Sequence, residues 1–459
     1  MLYIAVDGVA PMAKIKQQRM RRFKSAIQAE EEARIRAQAK NTSYIPKPRW
    51  DTNAITPGTK FMDKLTTALK AYAKTNPKHI NVSSSDEAGE GEQKIMDYLR
   101  NNVNNTNKYT DAVIYGLDAD LIVLSLYAYA KQGITIDLFR EEVEMNGLIK
   151  SNPDGEESFL YLNCEIMSKA LYEAYAKPDQ TLQEFILDFV ALMSILGNDF
   201  VPHGMSLKIK DEGIEKLLQI YKECTCPLLD GKTYNRLALI QLFKAIRDKE
   251  AFWLIKGVKA KLNARFFCSS RDGGDIAVAK MNDSPVKWAK ELCLVDKVEL
   301  PEAKPMYTLK QDWPQIYDQE ALWGADPVKV AETYLEALSW TLAYYIGEPI
   351  DTHWFYPWPL PPRSETILNL LESDHTIQIP NTKRENIKPL EQLAMVLPQS
   401  SFHLLPPEYK DLEKNHPYAW PEEWPVFSFG RRFLWECEPL IPLIKPLQIK
   451  QWIETLYET

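Results

Sequence analysis

Carboxylates recur at spacings that would let them act together. In Ala112–Tyr127, AVIYGLDADLIVLSLY, the β-branched run Ala112–Tyr115 predicts a strand buried on both faces, closed by Gly116 and followed by Asp118 and Asp120. Side chains two apart on an extended segment point the same way, so both acids would face one site at a strand's carboxyl end. Two charges held that close repel unless a cation lies between them. The alternative is helix-start chemistry, with Asp in the first turn of a helix through LIVLSLYAYA. Leu2–Val6 predicts another strand, ending in Asp7-Gly8, and Asn81–Ser84 a weaker one leading to Gly89-Glu90-Gly91-Glu92. Glycines flanking acids allow close approach of a ligand, which adds Glu90 and Glu92 to the candidates; a helix start explains them too. Asp199 lies in the turn GNDFVPHG that ends an apolar helix predicted over Leu182–Leu196.

A second group is basic. Lys14, Gln18, Arg21 and Arg22 fall at i, i+4, i+7 and i+8 of a helix predicted from Ala13 to about Lys40, so they share a face. Three cations and an amide there could grip a terminal phosphate, while a solvated basic face is the commoner use of such a run. Residues 1–50 hold eleven Lys/Arg against four Asp/Glu, yet the whole chain carries −8. A basic front on an acidic body points to local capture of an anion.

The supporting elements belong to a globular chain. Its 459 residues, 45% hydrophobic and 11% aromatic, allow two or three domains or one large core with insertions. No apolar run reaches a membrane span, no signal-peptide pattern opens the chain, and a membrane partner is not expected. The six cysteines are scattered, with only Cys224 and Cys226 close, which fits reduced thiols in the cytoplasm better than a zinc site. Further helices are predicted over Lys60–Lys74 (Phe61, Leu65, Leu69 and Tyr72 on one side), Ile209–Tyr221, Arg236–Lys259 and Pro327–Ile346, with a strand at ITIDLF after Gly133. From about Cys224 to Pro305 no chemical motif stands out. Trp354, Phe355, Tyr356 and Trp358, broken by prolines, form either core or a platform that stacks on bases without reading sequence. Ile387–Pro406 and Trp420–Tyr457 read as a helix–loop–strand–helix packing region.

DGVAPMAKIKQQRMRRF, TPGTKFM, GEGEQKIMDY, GLDADLIVLSL and LGNDFVPH, in that order, closely resemble the XRN 5′→3′ exoribonucleases. The resemblance covers most of Leu2–Glu223 and resumes from about Ala331 to near the end, with ETYLEALSWTLAYYIGEP, WFYPWPLPP and KPLEQLAMVLP. It implies an α/β fold: a mixed, mainly parallel sheet flanked by helices, of the flap-endonuclease or PIN-like kind, with a helical, aromatic-rich C-terminal region. The parts would be a nuclease core over 1–223, an insertion or linker over 224–305, and a helical region over 306–459 that completes the nuclease. By the same resemblance Asp7, Glu90, Glu92, Asp118, Asp120 and Asp199 bind two Mg²⁺ ions, with Mn²⁺ as the alternative. Lys14, Gln18, Arg21 and Arg22 would hold the 5′-monophosphate of single-stranded RNA, and Trp354 would stack on its first base. Six acids without histidine or cysteine suit Mg²⁺ better than zinc. Two such ions could activate water and stabilise the departing 3′-oxygen, releasing mononucleotides in the cytoplasm or, alternatively, the nucleus.

Three departures from the family pattern stand beside this. A preceding strand with a further metal-binding Asp and a nearby His is expected from upstream sequence or a separate polypeptide. Gln93 replaces the His usual after GEGE, and Thr352 stands where another Trp is common. Competing expectations are a catalytically impaired RNA 5′-end binder and a flap-type DNA nuclease.

Overall fold

The computed structural model describes residues 1–45, 50–103, 110–116, 118–143, 149–151, 154–283, 290–300, 303–373, 376–377 and 379–456. Leu117 of the central motif, the end of the predicted tail helix at Tyr457, and parts of the Asn41–Thr59 loop and the 224–305 stretch lie outside them.

β1 (Leu2–Ala5) pairs in parallel with β2 (Ile80–Ser83), Leu2 opposite Ile80 and Ala5 opposite Ser83. The crossover that parallel pairing demands is made by α1 (Met12–Ala39) and α2 (Lys60–Thr75). β2 leads into α3 (Gly91–Val103), and β3 (Asp111–Tyr115) into α4 (Asp120–Gln132). β3 pairs in parallel with β4 (Thr135–Glu141), which pairs antiparallel with β5 (Phe159–Asn163). The α/β class is as expected, but the ladders among the described residues close two small sheets here rather than one.

Two packing expectations change. β3 buries only Ile114 fully, while Val113 is 62% and Tyr115 54% exposed, because helices cover one face alone. On α2 the expected apolar side is half open: Phe61 and Tyr72 are exposed, and Met62 is the buried residue beside β2.

α5 (Cys164–Tyr175), α6 (Leu182–Ile195) and α7 (Gly213–Glu223) follow. Thr181 and Glu184 close a reciprocal cap on α6, satisfying two orphan N–H groups. Next come the β6–β7 hairpin (Leu229–Asp230, Thr233–Tyr234), α8 (Arg236–Asn263), α9 (Gly273–Asn282) and the β8–β9 hairpin (Val295–Leu300, Ala303–Leu309). This stretch packs into the main core, to which it contributes Leu228, Leu242, Phe243 and Ile246. α10 (Trp313–Ala321), α11 (Pro327–Ile346) and α12 (Ser364–Glu372) complete that core, with Leu338 and Trp340 at its centre.

A second core joins Met12, Ile15 and Phe23 of α1 to the tail, through Leu393 of α13 (Pro389–Val396), Leu412 of α14 (Asp411–Asn415) and Trp420. It also takes in Ile449 of α15 (Pro446–Leu456), which follows the short β10–β11 pair (Val426–Phe427, Glu438–Pro439). Ala13 belongs to the first core, so α1 is shared by both. Arg19, 1% exposed, fastens the tail to it. Its guanidinium donates to the carbonyls of Pro442 at 3.0 Å, Met395 at 2.5 Å and Ala419.

Removing Arg19 strands three buried carbonyls at once. Arg19→Ala is expected to lower stability by about 3–5 kcal/mol, read as the urea midpoint. A loss below about 1 kcal/mol, the size of an exposed ion pair, would contradict this role.

Candidate functional site

The loops that leave β1 and β2 are zipped together. Gly8 N–H donates to the Gly89 carbonyl at 2.8 Å, and Gly89 N–H to the Val9 carbonyl at 2.9 Å. Gly8 is obligatory, since a Cβ there would lie 1.8 Å from the Glu87 carbonyl oxygen, and Gly89 sits at φ +107°. Buried Lys94 on α3 pins both strand ends, donating to the carbonyls of Val6 at 2.8 Å and Ser84 at 2.9 Å. Asp7 Oδ1 accepts the Gly91 N–H at 2.7 Å, where the α3 dipole favours a carboxylate.

Asp118 and Asp120 do not sit on an extended segment. Ala119 is already helical in backbone, Asp120 opens α4, and Asp118 Oδ1 accepts the Asp120 N–H at 3.3 Å. The geometry is that of a helix start, and it still turns both acids toward the cluster. Asp199 follows α6 in a turn held by Asn198 Oδ1, which accepts the N–H groups of Phe200 and Val201, each at 2.9 Å.

At the centre is Lys14, 7% exposed, in the first turn of α1. Its Nζ lies 2.6 Å from Glu90 Oε2 and 2.7 Å from Asp199 Oδ2. Tyr344 donates its hydroxyl to Glu90 Oε1 at 2.6 Å, Tyr345 is hydrogen-bonded to Asp120, and Gln17 donates to Asp199 at 3.4 Å. Tyr344, Tyr345 and Gln17 were not singled out from sequence; the adjacent tyrosines at the end of an aromatic-rich helix were the available signal.

Crowding shows in the proton affinities. Burial, then Glu90, with Asp118 and Asp120 adding and Lys14 opposing, pushes Glu92 up to about 8. Burial, Asp199 and Asp118 push Asp120 up to about 7, against Lys14 and Tyr345. Glu90 is raised by burial and by Asp7, against Lys14 and Tyr344. Burial disfavours the Lys14 ammonium, but Glu90 and Asp199 outweigh it and hold the proton on. All six expected acids are thus linked in one electrostatic cluster or to its lysine.

Among the described residues no three of the acids close on a single metal-sized point; the ammonium of Lys14 fills the space between Glu90 and Asp199. The donors nonetheless fit a hard divalent cation, being carboxylate oxygens in a site short of positive charge, with neither thiolate nor imidazole among them.

The expected phosphate pocket is spread more widely. Lys14 faces the acids, and Gln18 Oε1 accepts from Gln392 Nε2 at 3.3 Å. Arg22 donates to Thr56 Oγ1 at 2.5 Å, and Arg21 lies close enough to repel it. Neither guanidinium has a carboxylate at ion-pair distance among the described residues. Arg21 lines a cleft of about 250 Å³ that also meets Asp199, Asn198 and Trp358. Trp354 stacks on Trp340 (5.5 Å, 26°), which stacks on Tyr344 (5.3 Å, 13°), so one face of its ring belongs to the core. Gln93 and Thr352, the two departures present in this chain, line one cleft of about 290 Å³. There Gln93 Nε2 and Thr352 Oγ1 are buried without hydrogen-bond partners among the described residues.

Two family models match the chain: the XRN 5′-3′ exonuclease N-terminus over residues 1–142, and the Xrn1 helical domain over 180–243 and 316–459. Among curated relatives, "5′-3′ exoribonuclease 2" of Gallus gallus is 27% identical over 575 residues, covering 100% of this chain and 60% of the relative. "5′-3′ exoribonuclease 1" of Schizosaccharomyces pombe is 26% identical, covering 97% and 42%, and "5′-3′ exoribonuclease 1" of Homo sapiens is 28% identical, covering 99% and 29%. The chain therefore spans between 29% and 60% of these relatives' length. Among the described residues no helix is long and apolar enough to cross a membrane.

Glu92 and Asp120, raised to about 8 and about 7, are carboxyls whose ordinary values are about 4. The folded chain then binds more protons than the unfolded one between those limits, so its stability falls as pH rises through that window. In chelator, the urea midpoint is expected to drop from pH 5 to pH 8, and Glu92→Gln to flatten the drop. An unchanged slope in Glu92→Gln would contradict the charge crowding.

Proposed function

The chain belongs to the XRN 5′-3′ exonuclease family, and from that premise we propose that it is a 5′→3′ exoribonuclease acting on 5′-monophosphorylated single-stranded RNA. The observation that carries the reading is the acid cluster gathered on one buried lysine, with two arginines on the same helix that have no carboxylate at ion-pair distance among the described residues. Parallel strand pairs with acids at their carboxyl ends support a core of the flap-endonuclease kind. β1 pairs along one edge only among the described residues, and the reading includes a further strand there, from upstream sequence or a second polypeptide. The six free thiols support a reducing compartment, cytoplasm or nucleus.

Asp7, Glu90, Glu92, Asp118, Asp120 and Asp199 would hold Mg²⁺, or Mn²⁺, in one or two ions. When bound, the metal supplies Lewis-acid polarisation of the scissile phosphate and a water acidified toward hydroxide. The chain's own residues do the rest. Arg21 and Arg22 hold the terminal phosphate through forked donors, and Gln18 adds an amide. Lys14, one to two turns earlier on the same helix, neutralises the acids through Glu90 and Asp199. The exposed part of Trp354 stacks on a base without reading it. Water adds to phosphorus and the P–O3′ bond breaks, releasing a nucleoside 5′-monophosphate. The phosphate stays on the next nucleotide, which presents the same end to the same pocket.

One observation favours a second reading. With Lys14 seated between Glu90 and Asp199, the site as arranged resembles a closed ion pair, which an RNA-end binder could retain. Exposed Asp118 separates the two. Asp118→Asn is expected to lower mononucleotide release from 5′-monophosphate RNA in Mg²⁺ about 10³-fold, roughly 4 kcal/mol of barrier, with RNA binding retained. No release by the unaltered chain, with end-specific binding intact, would overturn the exoribonuclease in favour of the binder.

A further inference from the structure

A second basic cleft, about 370 Å³, lies away from the acids, between the Met205–Asp211 segment, the end of α8 and the Gly430–Glu436 loop. Four cations line it, Lys208, Lys210, Lys261 and Arg432, against the carboxylates of Asp211 and Glu436. Lys208 and Lys261 are each 8% exposed, and donate to the carbonyls of Gly430 at 2.9 Å and Arg431 at 3.0 Å.

Glu436 is already engaged. One oxygen takes Lys210 at 2.5 Å, and the other accepts the N–H groups of Arg432 at 2.7 Å and Phe433 at 3.2 Å. Arg432 Nε is buried with no hydrogen-bond partner among the described residues, an expensive state for a charged donor. Burial and then Lys208 push Lys261 down to about 7; burial and then Lys210 push Lys208 down to about 8. Among the described lining residues, four cations face two carboxylates.

Its rim supplies a different recognition element. Phe433 and Trp435 stack at 5.3 Å and 10°, Trp435 is 52% exposed, and Arg432 sits 4.8 Å over the Phe433 ring. A flat ring beside a lysine-lined hollow matches a base and its phosphate, and the volume suits a small ligand. An acidic peptide would answer the lysines but leave the ring without a purpose.

We propose that this cleft binds a nucleotide, its phosphate among Lys208, Lys210 and Lys261 and its base on Trp435, as a free nucleotide or as one unit of an RNA strand. The site does not depend on the exonuclease reading.

Equilibrium binding of ADP, and separately of an RNA octamer with a 5′-hydroxyl, would be measured on the chain in chelator. Trp435→Ala and Lys210→Glu, both at exposed positions, and Lys261→Met would be compared with Arg21→Ala in the other basic pocket. At least one probe is expected to bind, tenfold or more weaker in the first three variants, and that loss is expected to persist when each is combined with Arg21→Ala, which silences the other basic pocket. Preference for ADP would assign a free nucleotide, and preference for the octamer an RNA strand. The proposal is overturned if neither probe binds, if Trp435→Ala and Lys210→Glu leave binding unchanged, or if a polyglutamate peptide displaces the probe equally well.

Discussion

Holding several carboxylates together around one buried lysine is the constraint on which this structure turns. Glu90 and Asp199 are brought within ion-pair distance of one ammonium, and Glu92 and Asp120 crowd behind them with proton affinities pushed well up. Such a site is tolerated because Lys14 and two tyrosine hydroxyls share the burden, and because protonation relieves what they leave. A divalent cation would satisfy the same acids more fully, displacing protons as it binds. The arrangement is thus both a stability liability and a means of recognising a cation.

α1 is where the demands of folding and chemistry meet. Its first turns carry Lys14 into the acids, the next turns carry Arg19 into the tail, and Arg21 and Arg22 follow. Because Met12, Ile15 and Phe23 pack on the C-terminal elements while Ala13 packs on the main core, the pitch of one helix fixes phosphate donors relative to carboxylates. The tail, which contributes none of the acids, therefore still sets their distance from the cations.

The helices were legible because their apolar periodicity is strong: α1, α8 and α11 begin within a residue of where the spacing puts them. The acids were legible as types in motif context, but not in geometry. Asp118 and Asp120 satisfy the same spacing rule on a strand or at a helix start, and the chain turns at Ala119 because the N-terminus of α4 needs an acceptor that Asp118 supplies. Tyr344 and Tyr345 looked like core because they are core; their hydroxyls matter only through contacts with residues some 250 and 225 positions away. Trp354 shows the converse, an apparent platform that uses one face for packing. Lys208, Lys261 and Arg432 were invisible, since nothing local distinguishes a buried lysine from a surface one.

The most direct test of the account is whether Lys14 holds the place of a cation. Mn²⁺ binding to the metal-stripped chain at pH 7.5, followed by electron paramagnetic resonance, would be compared between wild type and Lys14→Met. If the ammonium neutralises the acids that a metal would use, removing it should tighten Mn²⁺ by about tenfold or more, about 1.4 kcal/mol, and Asp120→Asn should then weaken it. Unchanged or weaker Mn²⁺ binding in Lys14→Met would mean that the ion pair is architectural, and Mn²⁺ binding indifferent to Asp120→Asn would mean that the cluster is not a cation site.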